Sequence, residues 1–136
     1  MIFVIIFFSM IVCHIVDDYY LQGCLAKMKQ KKWWEENYPN QKYDGNHIAA
    51  LLCHAFSWSF MIHLPITIFI FCKAYLYEKL ELIVFFCISI ALNLIIHALI
   101  DDLKANKLKI NLGDDQFLHL LQITITFIVF MIIINC

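Results

Sequence analysis

Long apolar runs separated by shorter polar stretches dominate the chain. The runs cover residues 2–20, 48–72, 82–100 and 117–135. A helix rises about 1.5 Å per residue and the hydrocarbon core of a bilayer is about 30 Å thick, so a run of about 18 apolar residues can cross it. The pattern predicts an all-α integral membrane bundle of about four transmembrane helices, which form a single domain over residues 1–136.

The composition supports this class and excludes others. Of the 136 residues, 62% are hydrophobic and 15% are charged, which is more apolar than a soluble domain of this size requires. The net charge of -1 does not provide the basic face that nucleic-acid binding needs, so nucleic acid is not expected as a partner. The first run lacks a preceding basic segment and a small-residue cleavage site, which predicts a retained helix rather than a signal peptide.

The lysines predict an orientation in the membrane. The loop at about 23–46 carries five lysines and the loop at about 102–113 carries three, whereas the loop at about 73–81 carries two. Positively charged loops favour the cytoplasmic side, so the first and third loops are predicted to be cytoplasmic and both termini to face outward. Aromatic residues of the first loop predict a segment that lies along the lipid headgroups. These are Trp33, Trp34, Tyr38 and Tyr43.

Ionisable side chains collect where the apolar runs meet the first and third loops. They are His14, Asp17, Asp18, His47, His54, His97, Asp101, Asp102, Asp114, Asp115 and His119. Three pairs are spaced by four residues: His14 with Asp18, His97 with Asp101, and Asp115 with His119. Residues four apart project from one face of a helix, so each pair can point into a common interior. Because ionisable groups are costly inside a membrane, the set favours a functional site.

Inward-facing histidines and carboxylates on neighbouring helices are typical of metal sites in helix bundles. The three pairs and His54 offer nitrogen and oxygen ligands that suit a divalent ion such as Zn²⁺, Mn²⁺ or Fe²⁺. A metal with an open coordination position would activate water, with Asp17 or Asp102 as general base. The structural alternative stays open, because a single His–Asp pair is more often only hydrogen-bonded and Asp114 or Asp115 suits a helix N-cap.

The strings HIVDDYYLQ at 14–22, HALIDDLKA at 97–105 and DQFLHLL at 115–121 resemble DUF3307, a family of uncharacterised bacterial and phage membrane proteins. The resemblance covers nearly the whole chain and places ten residues at motif positions. They are His14, Asp18, Gln22, His54, His97, Asp101, Lys104, Asp115, Gln116 and His119. Asp17, Asp102 and His47 lie outside the motif. The resemblance implies a bacterial inner membrane or the membrane of a phage-infected host, and it names no reaction. More distantly, the site is similar to those of membrane-bound families predicted to be metal-dependent hydrolases.

The leading hypothesis is a membrane-embedded, metal-dependent hydrolase that acts at the cytoplasmic leaflet on a phosphate ester of a lipid or small amphiphile. Its predicted metal ligands are His14, Asp18, His97, Asp101, Asp115 and His119. His54 is a further ligand or an acid/base group, and Lys104 neutralises the charge of the substrate. Two alternatives stay open. One is a small homo-oligomeric transporter, or an ion- or proton-coupled carrier, that uses the same side chains. The other is a non-catalytic membrane adaptor that binds anionic lipid through its basic first loop.

Overall fold

A computed structural model describes residues 1–39, 45–73 and 80–135, and within these ranges the chain is helical and contains no strand. The helices are α1 (Ile2–Val16), α2 (Gly23–Met28), α3 (Lys31–Asn37), α4 (Asn46–Cys72), α5 (Leu80–Ala105) and α6 (Leu112–Asn135). A π-helical turn, Asp17–Leu21, continues α1. The predicted all-α bundle is therefore confirmed. Lys42 and Tyr43 of the first loop, and most of the loop at about 73–81, lie outside the described residues.

Four helices in the described ranges are long and apolar enough to cross a membrane: α1 with its π-helical turn, α4, α5 and α6. They fit a multi-pass membrane protein, while the side that each loop faces stays a prediction. The sequence placed the end of α5 near residue 100 and the start of α6 near residue 117, whereas α5 ends at Ala105 and α6 begins at Leu112. The apolar runs stop at the first carboxylates, but the helices continue because Asp101 and Asp115 are buried in the bundle.

The long helices pack in an antiparallel arrangement in which α4 lies between α1 and α5, and α6 contacts α5 and α1. One half of the interior is apolar and is built from residues of all these helices. Its most buried members include Met10, Trp58, Ile62, Ile66, Ile123 and Phe130. Lipid tails are as apolar as these side chains, so close packing and interhelical hydrogen bonds hold the helices together in a membrane. The other half of the interior is polar.

The segment between α1 and α4 folds over the polar end of the bundle. α2 packs against α4 and the π-helical turn. α2 and α3 are separated by Gln30, whose extended backbone (φ -92°, ψ 121°) interrupts the helix. In α3 and just after it, Trp33, Trp34 and Tyr38 pack against one another with ring centroids 5.0 to 5.8 Å apart. The described part of the predicted headgroup segment thus contains two short helices and an aromatic cluster, and its position at the headgroups stays a prediction.

Candidate metal centre

Five ionisable side chains meet in the polar half of the bundle, and we call them the His/Asp cluster. They are Asp18, His54, His97, Asp101 and His119. Asp18 comes from the π-helical turn, His54 from α4, and the others from α5 and α6. His54, His97, Asp101 and His119 are each at most 2% exposed. The spacing of four residues between His97 and Asp101 brings both side chains to the same interior face of α5, as the sequence predicted.

The described part of the chain contains two groups in this cluster that could hold a metal ion. One consists of Asp18, His54 and His97, and the other of His97, Asp101 and His119. In each group, one ligand atom per residue lies within 4.8 Å of the others. Imidazole nitrogen with carboxylate oxygen is a ligand set that suits borderline and harder divalent ions. His97 belongs to both groups and is therefore the central residue of the cluster.

The imidazoles of His97 and His119 supply an independent indication of a bound cation. All four of their ring nitrogens are buried and have no hydrogen-bond partner within the described residues. The nearest carboxylate oxygens lie 3.6 Å from His97 Nε2 and 3.4 Å from His119 Nε2. A buried polar group without a partner costs about 1–3 kcal/mol, so native proteins rarely keep several together. A metal ion would coordinate one nitrogen of each neutral imidazole, so the residues present fit such an ion.

The central imidazole is part of a cluster of three rings. His97 packs against Trp58 and His119, with ring centroids 4.1 Å and 4.2 Å away and interplanar angles of 20° and 27°. Trp58 and His119 also contact each other, with centroids 5.4 Å apart. Packing against two neighbouring rings restricts rotation of the His97 imidazole. The site is thus organised by α4 and α6, not only by the backbone of α5.

His14 is held by hydrogen bonds at both ring nitrogens. The indole Nε1 of Trp58 donates to His14 Nδ1 at 2.7 Å, and His14 Nε2 lies 3.1 Å from Oε1 of Gln116. Indole nitrogen only donates, so Nδ1 accepts and Nε2 carries the proton that is donated to Gln116. His14 was predicted to be a metal ligand, but it lies outside both groups. Its Nδ1 is 3.4 Å from Asp18, and its position orients the side chains around the cluster.

Asp115 is also beside the cluster rather than in either metal group. Its Oδ2 accepts hydrogen bonds from Lys104 at 2.6 Å and from Gln116 at 3.1 Å. Its Oδ1 is 3.4 Å from His119 Nε2. The carboxylate predicted to bind metal therefore lies next to Nε2 of His119, which is also 3.6 Å from Oδ1 of Asp101, and Lys104 is paired with it.

The two predicted general bases lie outside the cluster. Asp17 is fully buried, and its carboxylate accepts hydrogen bonds from Ser57 at 2.7 Å and from Gln22. Asp102 accepts from Asn106 at 2.9 Å and from Lys107 at 2.7 Å. Both carboxylates are thus committed to holding the ends of α1 and α5. Their role as general bases stays a prediction.

Lys29 is a member of the site that the sequence did not reveal. It follows α2, yet its Nζ reaches Oδ2 of Asp101 at 2.5 Å and Nε2 of His54 at 2.9 Å. Its side chain is 14% exposed, in contrast to the 80% of Lys32 in the same segment. Nothing in the sequence distinguishes Lys29 from the other lysines of the first loop, because its role depends on how α2 packs on α4.

A polar pocket of 360 Å³ reaches the cluster between the α2 segment and the ends of α5 and α6, and it is lined by both carboxylates and lysines. Its charged lining residues are Asp18, Lys29, Asp101, Lys104 and Asp115. An apolar groove of 670 Å³ runs between α5 and α6, with Asn93 and Gln122 among its few polar residues. The groove is lined up to Ile96, Ile100 and Leu118, which precede His97, Asp101 and His119 in sequence, so it extends to the depth of the cluster along these two helices.

The chain matches no protein-family model, no curated protein and no solved structure. The resemblance to DUF3307 therefore stays a prediction. The function of the chain has to be inferred from its own site.

Proposed function

We propose that this protein is a membrane-embedded, metal-dependent hydrolase that cleaves a phosphate ester of a lipid or another amphiphile. In the reaction a water oxygen attacks phosphorus, the ester P–O bond breaks, and the alcohol and inorganic phosphate leave. The observation that carries the proposal is the His/Asp cluster itself. Its buried imidazole nitrogens lie close to Asp101, a carboxylate that lines the polar pocket.

The fully buried group of His97, Asp101 and His119 is the stronger candidate for the ion. A divalent metal in such a site polarises a phosphoryl oxygen and lowers the pKa of a bound water. Of the cluster, Asp18 and Asp101 line the polar pocket. A substrate in the pocket would therefore meet the ion group at Asp101, with Asp18 beside it.

The charge of the polar pocket suits a phosphate ester. Lys29 and Lys104 both line it, and they are paired with Asp101 and Asp115 respectively. Ammonium groups bind phosphate as compact point charges. A phosphate that enters the pocket can therefore replace the carboxylates as the binding partner of the two lysines. No arginine is present in the chain, so bidentate guanidinium binding plays no part.

The groove between α5 and α6 favours an amphiphilic substrate over a small soluble one. It is lined almost entirely by apolar side chains and ends beside the cluster. An acyl or alkyl chain in the groove would place its headgroup at the polar pocket without leaving the membrane. Burial of each CH₂ group contributes about 0.8 kcal/mol when it leaves water, so chain length would affect binding strongly for a substrate supplied from water.

A carrier that uses the same cluster is less well supported. A chain of hydrogen-bonded polar side chains does continue from the cluster toward the other end of the bundle. Asn93 donates to Thr126 at 2.8 Å and to Ser89 at 3.3 Å, and Ser89 contacts His63. Beyond it, the interior of the described bundle is filled by the apolar core that includes Ile66 and Phe130. A solute or proton path through one copy of the chain would end there, whereas a hydrolase needs access from one side only.

The test is phosphate release by the purified protein. The wild type in detergent micelles is expected to release inorganic phosphate from a long-chain lipid phosphate, to lose this activity with a chelator, and to regain it with Zn²⁺ or Mn²⁺. His97→Ala should be inactive and free of metal. His63→Ala is the matched control, since His63 is an equally buried histidine bonded to Ser59 and Ser89 outside the cluster. A wild type that contains no stoichiometric metal after metal loading would exclude the hydrolase proposed here.

A further inference from the structure

Lys29 contacts one residue of each candidate metal group. Its ammonium nitrogen is 2.5 Å from Asp101 Oδ2 and 2.9 Å from His54 Nε2, and those two atoms are themselves 2.8 Å apart. Asp101 belongs to one candidate metal group and His54 to the other. The single cation of Lys29 therefore bridges both groups.

An ammonium and a metal ion use the same lone pairs of these ligands. The lysine side chain carries three N–H donors and no acceptor, so it donates to Oδ2 of Asp101. Nε2 of His54 lies within hydrogen-bond distance of both the ammonium and this carboxylate oxygen, and its lone pair is open to a cation in the tautomer that is protonated at Nδ1. A neutral imidazole nitrogen and an ionised carboxylate are the forms that coordinate metal. Two cations close to the same atoms repel each other, which means that the lysine and the ion exclude one another.

A clamp formed by one asparagine holds the lysine in place. Asn106 follows α5, and its side-chain amide donates to the carbonyl of Lys29 at 3.2 Å while its Oδ1 accepts from the backbone N–H of Lys31 at 2.8 Å. Gln30, the extended residue between α2 and α3, lies between these two contacts. The short segment that carries Lys29 is thus attached to the end of α5 by the side chain of Asn106. Movement of this segment would withdraw the lysine without unfolding a long helix.

We infer that Lys29 is a tethered cation that fills the metal site of the metal-free protein and has to withdraw before a divalent ion binds. This inference rests on the proposed function, since it takes the His/Asp cluster to be a metal site. It deepens that function by naming what competes for the site. When it withdraws, Lys29 remains in the wall of the polar pocket with Lys104, where its charge is free for the phosphate of the substrate.

The experiment compares metal affinities. Binding of Mn²⁺ and of Zn²⁺ is measured by titration calorimetry on the full chain in detergent for the wild type, Lys29→Met and Lys32→Met. Methionine keeps the apolar stem of lysine and removes the charge. Lys29→Met is expected to bind either ion at least tenfold more tightly than the wild type, because no cation has to be displaced. Lys32→Met is expected to match the wild type, because Lys32 is largely exposed.

The possible results separate the two proposals. Equal affinities of Lys29→Met and the wild type, or weaker binding by Lys29→Met, would overturn the role of Lys29 and leave the metal site standing. Failure of all three proteins to bind either ion would overturn the metal site, and this inference with it. Circular dichroism and gel filtration establish that each variant is folded.

Asn106→Ala provides a second test that keeps the lysine. The variant removes both backbone contacts of the clamp and alters neither metal group. Its metal affinity is expected to lie between those of the wild type and Lys29→Met, because the ammonium is present but no longer held. An affinity equal to that of the wild type would contradict the proposed clamp.

Discussion

The indole of Trp58 donates a hydrogen bond of 2.7 Å to Nδ1 of His14 and stacks on the imidazole of His97 at a centroid distance of 4.1 Å. One side chain of α4 thus sets the tautomer of a histidine on α1 and the ring position of a histidine on α5. Partners of this kind orient ligands, and their loss typically costs 10–100-fold in metal affinity. Trp58 therefore belongs to the apolar core and also contacts two histidines of the polar half.

Trp58→Phe tests this connection. Phenylalanine keeps an aromatic face for His97 but has no donor for His14. We expect the free energy of unfolding to fall by about 1 kcal/mol, in the range of hydrogen bonds inside membrane proteins. We expect metal affinity to fall about tenfold. Thermal denaturation and calorimetric titration in detergent measure the two effects. Trp33→Phe in the aromatic cluster of α3 is the matched control, and a similar loss of metal affinity in that variant would contradict a specific role of Trp58.

Because His97 is shared by both metal groups, its replacement should remove more metal than the replacement of a residue that belongs to one group. Because His97 belongs to both candidate groups, His97→Ala should remove all bound ion. Asp18→Asn alters only the group of Asp18, His54 and His97, so it should retain the ion held by His97, Asp101 and His119. Elemental analysis after metal loading and dialysis gives the metal content per chain. A metal content of His97→Ala equal to that of the wild type would place the ion elsewhere.

Asp17 and Asp101 are both buried aspartates, and the structure predicts opposite consequences of replacing them. Asp17→Ala leaves the Ser57 hydroxyl and the Gln22 amide without their acceptor, so the free energy of unfolding should fall by about 1–3 kcal/mol while the metal content stays unchanged. Asp101→Ala should lose the metal. Denaturation and elemental analysis on both variants check this. Loss of metal from a folded Asp17→Ala variant would instead restore Asp17 to the site.

The groove between α5 and α6 predicts a dependence on chain length. Ile96 lines the groove, so Ile96→Trp would fill part of the space for an acyl chain. We expect KM for a long-chain lipid phosphate to rise severalfold, and KM for a short-chain soluble phosphate ester to stay the same. Ile95→Trp is the matched control, because the neighbouring isoleucine is 53% exposed and does not line the groove. Equal effects of the two substitutions on the long-chain substrate would argue against the groove as its binding site.

The fold was predictable because membrane thickness and backbone hydrogen bonding leave few choices. A run such as 48–72 has to be a helix in lipid, where unpaired backbone groups are too costly. The ends of the helices were less predictable, since hydropathy detects where apolar residues stop and not where the backbone hydrogen bonds end. Asp101 and Lys104 continue α5 beyond its apolar run because their side chains turn inward or pair with a neighbour.

The members of the site were predicted more reliably than their roles. Spacing by four residues brought His97 and Asp101 to one face, but spacing cannot tell a ligand from a residue that is already bonded. His14 has the same spacing to Asp18, yet the donor of Trp58 on another helix occupies its Nδ1. Lys29 was missed for the same reason: its contact with Asp101 joins residues 72 positions apart and depends on tertiary packing.

Metal removal should affect stability as well as activity, and this prediction does not depend on the identity of the substrate. His97 and His119 would coordinate the ion through buried nitrogens that otherwise have no partner among the described residues. Binding of the ion should therefore stabilise the folded state. At a free concentration 100 times Kd, the gain is about 2.7 kcal/mol, which raises Tm. Thermal denaturation of the wild type with Zn²⁺ and with a chelator measures the shift. His63→Ala should keep the shift and His97→Ala should lose it, because only His97 contributes to the cluster. A shift of the same size in His97→Ala would mean that the ion stabilises the bundle from another site.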